Sequence, residues 1–133
     1  MNSEDRQRLI YEISKKLKIE PSQKDGRYSK RALDENGRKY LMAFKSPLKG
    51  DTGVGSFAYN EDEPAFDFFI GVGVDTYDPD VVLEVWRVKY RDFMRLLARN
   101  PSKWRLRVND ANRRDPGVEV LFQGRRRIGE LLL

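Results

Sequence analysis

The segment between residues 87 and 107 holds the densest group of side chains suited to phosphate binding. It contains eight arginines and lysines and one acidic residue, Asp92. Apolar residues at helical spacing predict a helix in its first part, and three arginines spaced four apart would share one face of that helix. The second part alternates as a short strand. The candidate nucleic-acid contacts are Arg91, Arg95, Arg99, Lys103, Arg105 and Arg107.

The basic residues of this segment fit more than one role. Lysine and arginine bind phosphate oxygens without reading the base sequence, which favours nucleic acid as the partner. The net charge of +5 and the pI of about 9.5 agree with a polyanionic partner. An acidic protein is the alternative partner, and the arginines could also serve only to solvate an exposed helix. A homodimer is left open.

The chain contains neither cysteine nor histidine. This composition excludes disulfides, thiolate metal sites and cysteine nucleophiles, and it argues against imidazole catalysis and zinc hydrolysis. Whether the protein is an enzyme stays open at this stage. Any catalysis would have to rely on carboxylates, lysine, tyrosine or a divalent metal held by carboxylates.

The elements that must position these cations follow from the hydrophobic pattern. Strict alternation predicts strands at residues 39–45 and 66–74. Asn36-Gly37 predicts a turn before the first of them, which would pair it with a short strand near residues 27–33. Residues 66–74 should pair with a strand beginning at Val81 as an antiparallel hairpin. The sequence thus predicts an α/β (α+β) fold in one domain, with a central mixed sheet of about five strands flanked by helices.

Several boundaries can be predicted as well. Ser3 is the expected N-cap of the first helix, residues 46–64 form a long connection, and residues 118–122 form the last strand. The predicted segments are an N-terminal helix in 1–20, sheet strands in 27–89, a basic helix in 90–100, further strands in 103–123 and a C-terminal helix or tail in 124–133.

Two features bear on the setting of the protein. No apolar run reaches the length of a membrane span, and the polar N-terminus is unlike a signal peptide, so a cytoplasmic protein without a membrane partner is expected. Residues 119–124 resemble the cleavage sequence of a picornaviral protease. The sequence leaves open whether this stretch is a native strand or an engineered scar.

Three stretches carry a resemblance to a known family. They are GRKYLMAFKSP (37–47), FDFFIGVGV (66–74) and LEVWRVKYRDF (83–93). Together they resemble the restriction-endonuclease-like superfamily, the PD-(D/E)XK fold. The resemblance implies a restriction-endonuclease-like sheet, and it places Lys45 at the position of the catalytic lysine.

The same resemblance implies a Mg²⁺ site that this chain does not complete. Ala43 stands two residues before Lys45, where relatives carry Glu, Asp or Gln. The metal ligands are therefore unknown, and the weak candidates are Asp34, Asp67 and Glu84. Mg²⁺ is expected as a cofactor only if the protein is a nuclease.

The sequence as a whole predicts a nucleic-acid-binding protein of nuclease-like fold with a lost or incomplete metal-dependent phosphodiesterase site. One alternative is an active Mg²⁺-dependent endonuclease. Another is a small protein-protein interaction factor, of phage or host-defence type, that binds an acidic partner. The choice between DNA and RNA does not follow from the residues.

Overall fold

A computed structural model describes residues 1–46, 55–99 and 103–133. The elements in chain order are helix α1 (Ser3–Leu17), strands β1 (Glu20–Lys24), β2 (Arg27–Leu33), β3 (Lys39–Lys45), β4 (Gly55–Tyr59), β5 (Phe68–Val74) and β6 (Val81–Lys89), helix α2 (Tyr90–Leu96), strands β7 (Ala98–Arg99) and β8 (Trp104–Val108), helix α3 (Asp110–Arg113), strand β9 (Val118–Arg127) and a final 3-10 turn (Ile128–Glu130).

The main layer is a six-stranded mixed sheet in the order β1-β2-β3-β5-β6-β9. Only β3 and β5 run parallel, and the other neighbours are antiparallel. The expected α/β domain with a mixed sheet is confirmed, with six strands where about five were predicted. The hairpin of β5 and β6 is confirmed too, as are the bounds of β3.

A second sheet of three strands, in the order β4-β8-β7, covers one face of the main sheet. Phe57 of β4 and Leu106 of β8 point into the core between the two sheets and are almost fully buried. Gly71 of β5 permits this packing, because a Cβ there would lie 2.6 Å from a carbon of the Phe57 ring. Around this glycine, Phe69 and Trp86 of the main sheet complete the core between the two sheets.

Helix α1 covers part of the other face of the main sheet. Leu9, Ile10 and Ile13 recur at helical spacing and are buried against that face. The N-cap is Asn2, whose side-chain oxygen accepts from the backbone N–H of Asp5 at 2.8 Å, and not Ser3 as predicted. Asn is an equally good cap, so the helix begins as expected with a different capping residue.

The basic helix is shorter than the predicted range 90–100. Helix α2 ends at Leu96, since Leu97 already has extended dihedral angles. Ala98 and Arg99 then pair with β8 as a strand, which satisfies their backbone groups outside a helix. The expected arginine face therefore keeps Arg91 and Arg95 but loses Arg99. Pro101, predicted to end the helix, lies outside the described residues.

Other differences also arise from pairing between distant segments. Strand β4 forms inside the predicted connection 46–64, of which residues 47–54 lie outside the described part, and β1 forms where only a polar stretch was expected. Strand β9 does not end at residue 122; it continues to Arg127, because β6 supplies a partner along its whole length. A 3-10 turn at Ile128–Glu130 follows, so residues 124–133, expected as a helix or tail, begin as strand and end in this turn and three irregular residues.

Residues 119–124 lie entirely within β9, which pairs with β6. Val120 packs against the core between the two sheets, and Phe122 packs against the core under α1. The stretch that resembles a protease site is thus an integral strand of this fold. Over the described ranges, the helices are too short or too polar to span a bilayer.

Candidate nucleic-acid interface

Lys45 lines a cavity of about 350 Å³ between the end of β3 and β4. Four cations contribute to its wall: Arg6 of α1, Lys30 of β2, Lys45 and Arg105 of β8. The only acidic residue in the described lining is Glu63. The cavity is therefore predominantly basic, and it brings together residues from four separate elements.

The cavity opens because β2 separates from β3. Their pairing covers Arg31 to Leu33 but does not reach the end of β3. The Ser29 hydroxyl accepts from the backbone N–H of Arg31 at 3.1 Å, next to the point where the pairing of β2 with β3 stops. The Gln7 side-chain amide of α1 then bonds both the N–H and the C=O of Tyr28, at 2.6 and 2.9 Å. Helix α1 thus takes the place of a strand partner for β2.

Glu63 is neutralised by two cations. Its carboxylate forms ion pairs with Lys30 and with Arg31, whose Nη2 lies 3.1 Å from Oε2. Burial raises the pKa of Glu63, but the hydrogen bonds from Lys30 and Arg31 more than offset this, so the pKa lies below its ordinary value. Glu63 stays ionised at neutral pH and is paired, which leaves Lys45, Arg6 and Arg105 to set the charge of the cavity.

The outer face of the small sheet continues the basic surface. Arg105 and Arg107 alternate on β8 with the buried Leu106, so both point away from the core. Their neighbours across the sheet are small: Ser56 lies opposite Arg107, and alanines flank Arg105 on both sides. The Arg105 guanidinium donates to the Ser56 hydroxyl at 3.4 Å.

Arg105 connects the cavity at Lys45 with a second one of about 440 Å³, which Arg107 also lines. We call the set Arg6, Lys30, Lys45, Arg105 and Arg107 the cationic track. Within the described ranges, Lys45, Arg105 and Arg107 form no ion pair with a carboxylate. Their charge is therefore available to an anionic ligand.

The other predicted contacts lie elsewhere. Arg95 of α2 pairs with Asp115 at 2.6 Å and with Asp92 at 3.1 Å. Arg91, on the same helix, lines a separate groove of about 450 Å³. The structure therefore divides the predicted surface between α2 and the small sheet.

Arg99 and Lys103 flank Trp104. The Arg99 guanidinium lies over the Trp104 ring, 5.8 Å from its centroid, and the indole N–H donates to Glu61 at 2.5 Å. Lys103 lines a shallow cavity next to the same tryptophan. Trp104 is half-buried and already bonded. Arg99 of β7 and Lys103, just before β8, therefore lie beside this ring and are not part of the cationic track.

The three candidate metal ligands do not converge. Asp34 accepts from the backbone N–H groups of Asn36 and Arg38 and from the Arg38 guanidinium, which organises the turn before β3. Asp67 accepts from the backbone N–H of Lys39 at 2.7 Å. Both carboxylates hold the start of β3, at the end opposite Lys45.

Glu84 is nearest to Lys45 in the sheet, but it is engaged. Lys45 and Glu84 lie in one cross-strand row with Gly73 between them, which sets their backbones about 10 Å apart. The Glu84 carboxylate is 5% exposed; it accepts from Arg113 at 2.6 and 3.0 Å and from the Trp86 indole at 2.6 Å. Arg113 has a raised pKa because of the hydrogen bond to Glu84.

These acids therefore do not fit the Mg²⁺ site that the resemblance implies. In the described ranges, no three acidic side chains are grouped so that they could hold a metal ion. A nuclease of that type needs at least two carboxylate oxygens near the lysine. Next to Lys45 the described part of the chain offers one carboxylate, Glu63, and two cations already hold it.

Sequence reasoning missed three members of the site. Arg6 lies in a helix that was expected only to cover the sheet, and Lys30 and Glu63 lie in segments without a recognisable pattern. The cluster Lys30-Arg31 was the only local signal, and nothing in the sequence indicates that the pairing of β2 with β3 stops there. No family model matches this chain, and no curated protein shows significant similarity to it.

Proposed function

We propose that this protein binds nucleic acid, with the phosphate backbone lying along the cationic track. One observation carries the proposal: Lys45 of β3 and Arg105 and Arg107 of β8 share a continuous surface and have no carboxylate partner in the described ranges. The predicted partner is therefore kept. Of the predicted contacts, the cationic track retains Arg105 and Arg107 and adds Lys45, whereas Arg95 of α2 is held by two acids.

The surface around the two arginines suits a backbone ligand. Ser56, Ala58 and Ala98 are the cross-strand neighbours of Arg105 and Arg107, and none of them projects beyond the guanidinium groups. A phosphate backbone can approach such a sheet closely. Contacts of this kind fix the position of the nucleic acid and carry no sequence information.

Binding is proposed here without cleavage. The three candidate carboxylates already accept hydrogen bonds: Asp34 within a turn, Asp67 from a backbone N–H and Glu84 from an arginine. Lys45 is therefore left without the acids that would hold Mg²⁺ beside it. Lys45 would then contact a phosphate as a simple cation. The active endonuclease remains the alternative, and it is tested by incubating each nucleic acid with Mg²⁺ or Mn²⁺ and with Lys45→Ala as the control.

The binding test uses fluorescence anisotropy with labelled single-stranded DNA, duplex DNA and RNA of equal length. The variant Arg105→Ala/Arg107→Ala should lower the affinity by about tenfold or more at low salt. It should also reduce the slope of log K against log salt by about 0.9 for each duplex phosphate contact that is lost. The matched control is Lys15→Ala/Lys24→Ala, which removes the same charge from exposed positions on α1 and β1.

Equal losses in the two double variants would show that only the net charge matters and would reject the cationic track. If the wild-type protein retains none of the three probes at low salt, nucleic-acid binding itself is rejected. That second result would favour the protein-protein factor, whose acidic partner would then be sought with the same variants.

A further inference from the structure

The groove that Arg91 lines differs from the cationic track, because it contains an aromatic ring. Phe68, at the start of β5, forms part of its floor, and the basic residues Arg87, Lys89, Arg91 and Arg95 surround it. Lys45 lies opposite Gly73, five residues further along β5. The groove is therefore about 17 Å from the Lys45 end of the sheet.

Planar groups are gathered around Phe68. The Tyr40 ring stacks on it at 5.2 Å between centroids and an interplanar angle of 24°. The guanidinium carbons of Arg38 and Arg87 lie 5.5 and 5.9 Å from the Phe68 centroid. Such flat side chains at one sheet end form the kind of surface on which nucleobases stack.

Two of these groups are held in place by acids. Glu119 accepts two hydrogen bonds from Nη2 of Arg87, at 2.8 and 3.0 Å, and one from its Nε at 3.0 Å. Asp34 binds Nε of Arg38 at 2.7 Å. Because the guanidinium planes are already fixed, a ligand would lose little entropy in ordering them.

The charge of the groove comes from two other residues. Its acidic lining residues, Asp92 and Glu119, are paired with Arg95 and Arg87. Lys89 and Arg91 are exposed, and in the described part of the chain neither forms an ion pair. The groove thus combines a stacking surface with two available cations, which matches a base joined to phosphates.

We propose that this groove binds an unpaired nucleobase of single-stranded nucleic acid, a step that rests on the proposed function. The base stacks against the flat side chains of Phe68 and Arg87. Lys89 and Arg91 bind the phosphates on either side of that base. A base inside a duplex is already stacked and paired, so the groove gives the protein a preference for single strands.

The experiment compares a labelled single strand with an abasic strand of the same length and phosphate count. Phe68→Leu keeps an apolar side chain but removes the aromatic face, and it should lower the affinity for the intact strand about fivefold or more. Affinity for the abasic strand should not change. Phe68→Tyr should restore binding of the intact strand.

Two further variants complete the design. Arg87→Lys keeps the charge beside Glu119 but removes the guanidinium plane, so it should repeat the selective loss without a change in net charge. Phe122→Leu is the matched control, since Phe122 is another half-buried ring of the main sheet with a guanidinium, that of Arg126, 5.9 Å from its centroid.

The outcomes separate this proposal from the one on which it rests. A selective loss for the intact strand in Phe68→Leu or Arg87→Lys supports the base site. Equal effects on both strands, or none in either variant, overturn it even if Arg105→Ala/Arg107→Ala weakens both strands and so upholds the cationic track. If the wild-type protein binds neither strand, the proposed function itself has failed.

Discussion

Helix α2 and the small sheet both take their cations from residues 87–107, yet the two regions present them differently. On α2 and the adjoining strand, Arg95 is held by Asp92 and Asp115, and Arg87 is held by Glu119. On β8, Arg105 and Arg107 project from a surface of serine and alanine, and no carboxylate of the described residues pairs with them. The two regions carry similar numbers of cations in the sequence, but the fold pairs Arg87 and Arg95 with acids and leaves Arg105 and Arg107 unpaired among the described residues.

The difference teaches that acids far along the chain decide which cations stay available. Asp115 and Glu119 meet α2 and β6 only because β9 adds to the main sheet beside β6. Among the residues that the structure describes, no such acidic neighbour pairs with Arg105 or Arg107 of the small sheet. A paired arginine chiefly stabilises the fold, whereas an unpaired one can attract a ligand. Phosphate binding should therefore respond mainly to substitutions of the unpaired cations, and stability mainly to substitutions of the paired arginines.

The largest expected effect is the loss of stability caused by breaking the buried ion pair between Glu84 and Arg113. Glu84→Gln keeps an acceptor for the Trp86 indole but removes the buried counter-charge of Arg113, whose side chain is 19% exposed, and leaves it only the exposed Asp110 at 2.9 Å. We expect the free energy of unfolding to fall by about 3 kcal/mol, because breaking a buried ion pair on one side leaves the other charge poorly compensated. Urea denaturation measures this change, and nucleic-acid affinity should stay as in the wild type.

The control for that substitution is the double variant Glu84→Gln/Arg113→Met, which removes both charges and should recover part of the stability. A Glu84→Gln variant with wild-type stability would contradict the structural role of this pair. If the same variant lost nucleic-acid binding while it stayed folded, the contrast between paired and unpaired arginines would be wrong.

The next largest effect is a loss of stability caused by disturbing the packing of the small sheet against the main sheet. Gly71→Ala places a methyl group 2.6 and 2.7 Å from two carbons of the Phe57 ring. The sheets must separate or the ring must tilt, and we expect a loss of about 2 kcal/mol in the free energy of unfolding. Gly129→Ala is the control, because a methyl group there meets nothing within 4 Å. Equal thermal unfolding of the two variants would contradict this packing.

A matched pair of substitutions tests the comparison directly. Arg107→Glu reverses an exposed, unpaired charge on β8, so it should lower nucleic-acid affinity about tenfold or more and leave stability within about 0.5 kcal/mol. Arg95→Gln should do the reverse, with a small loss of stability and little change in affinity. Fluorescence anisotropy measures the nucleic-acid affinity of each variant, and urea titration measures its free energy of unfolding. If Arg95→Gln weakens binding as much as Arg107→Glu, Arg95 binds the ligand in spite of its two acidic partners, and the contrast between paired and unpaired arginines is wrong.

The parts of the fold that depend on local signals could be predicted. The alternation of residues 39–45 and the Asn36-Gly37 turn predict β3 and its hairpin with β2, and α1 has an apolar face at helical spacing. The hairpin of β5 and β6 follows from the same pattern. Each of these elements is specified by residues within one short stretch, and the structure confirms them.

The parts that depend on distant partners could not. Helix α2 stops at Leu96 because Ala98 and Arg99 pair with β8, and β8 in turn requires β4, more than forty residues earlier in the chain. The convergence of Lys45 with Arg105 depends on that same pairing. The charges were visible in the sequence, but their position was not, because it depends on long-range contacts that periodicity does not encode.

The smallest expected effect is the pH dependence of the Arg95–Asp115 pair. Hydrogen bonds from the Arg95 guanidinium hold the pKa of Asp115 below its ordinary value. A carboxylate with a lowered folded-state pKa contributes stability above its unfolded pKa, about 4, and loses it as the pH falls through the lower folded value. The stability difference between the wild type and Asp115→Asn should therefore be constant at neutral pH and shrink below about pH 4.

Urea titrations across the acid range measure that difference. Asp62→Asn is the control, since Asp62 is exposed and its carboxylate pairs with no cation of the described residues. The Asp62 variant should show no comparable trend. A wild-type advantage over Asp115→Asn that grows as the pH falls would contradict the pairing, because protonation of Asp115 must weaken its bond to Arg95. With that bond weakened, Arg95 becomes available to phosphate. Acid should therefore reduce the difference between the affinity losses caused by Arg95→Gln and by Arg107→Glu.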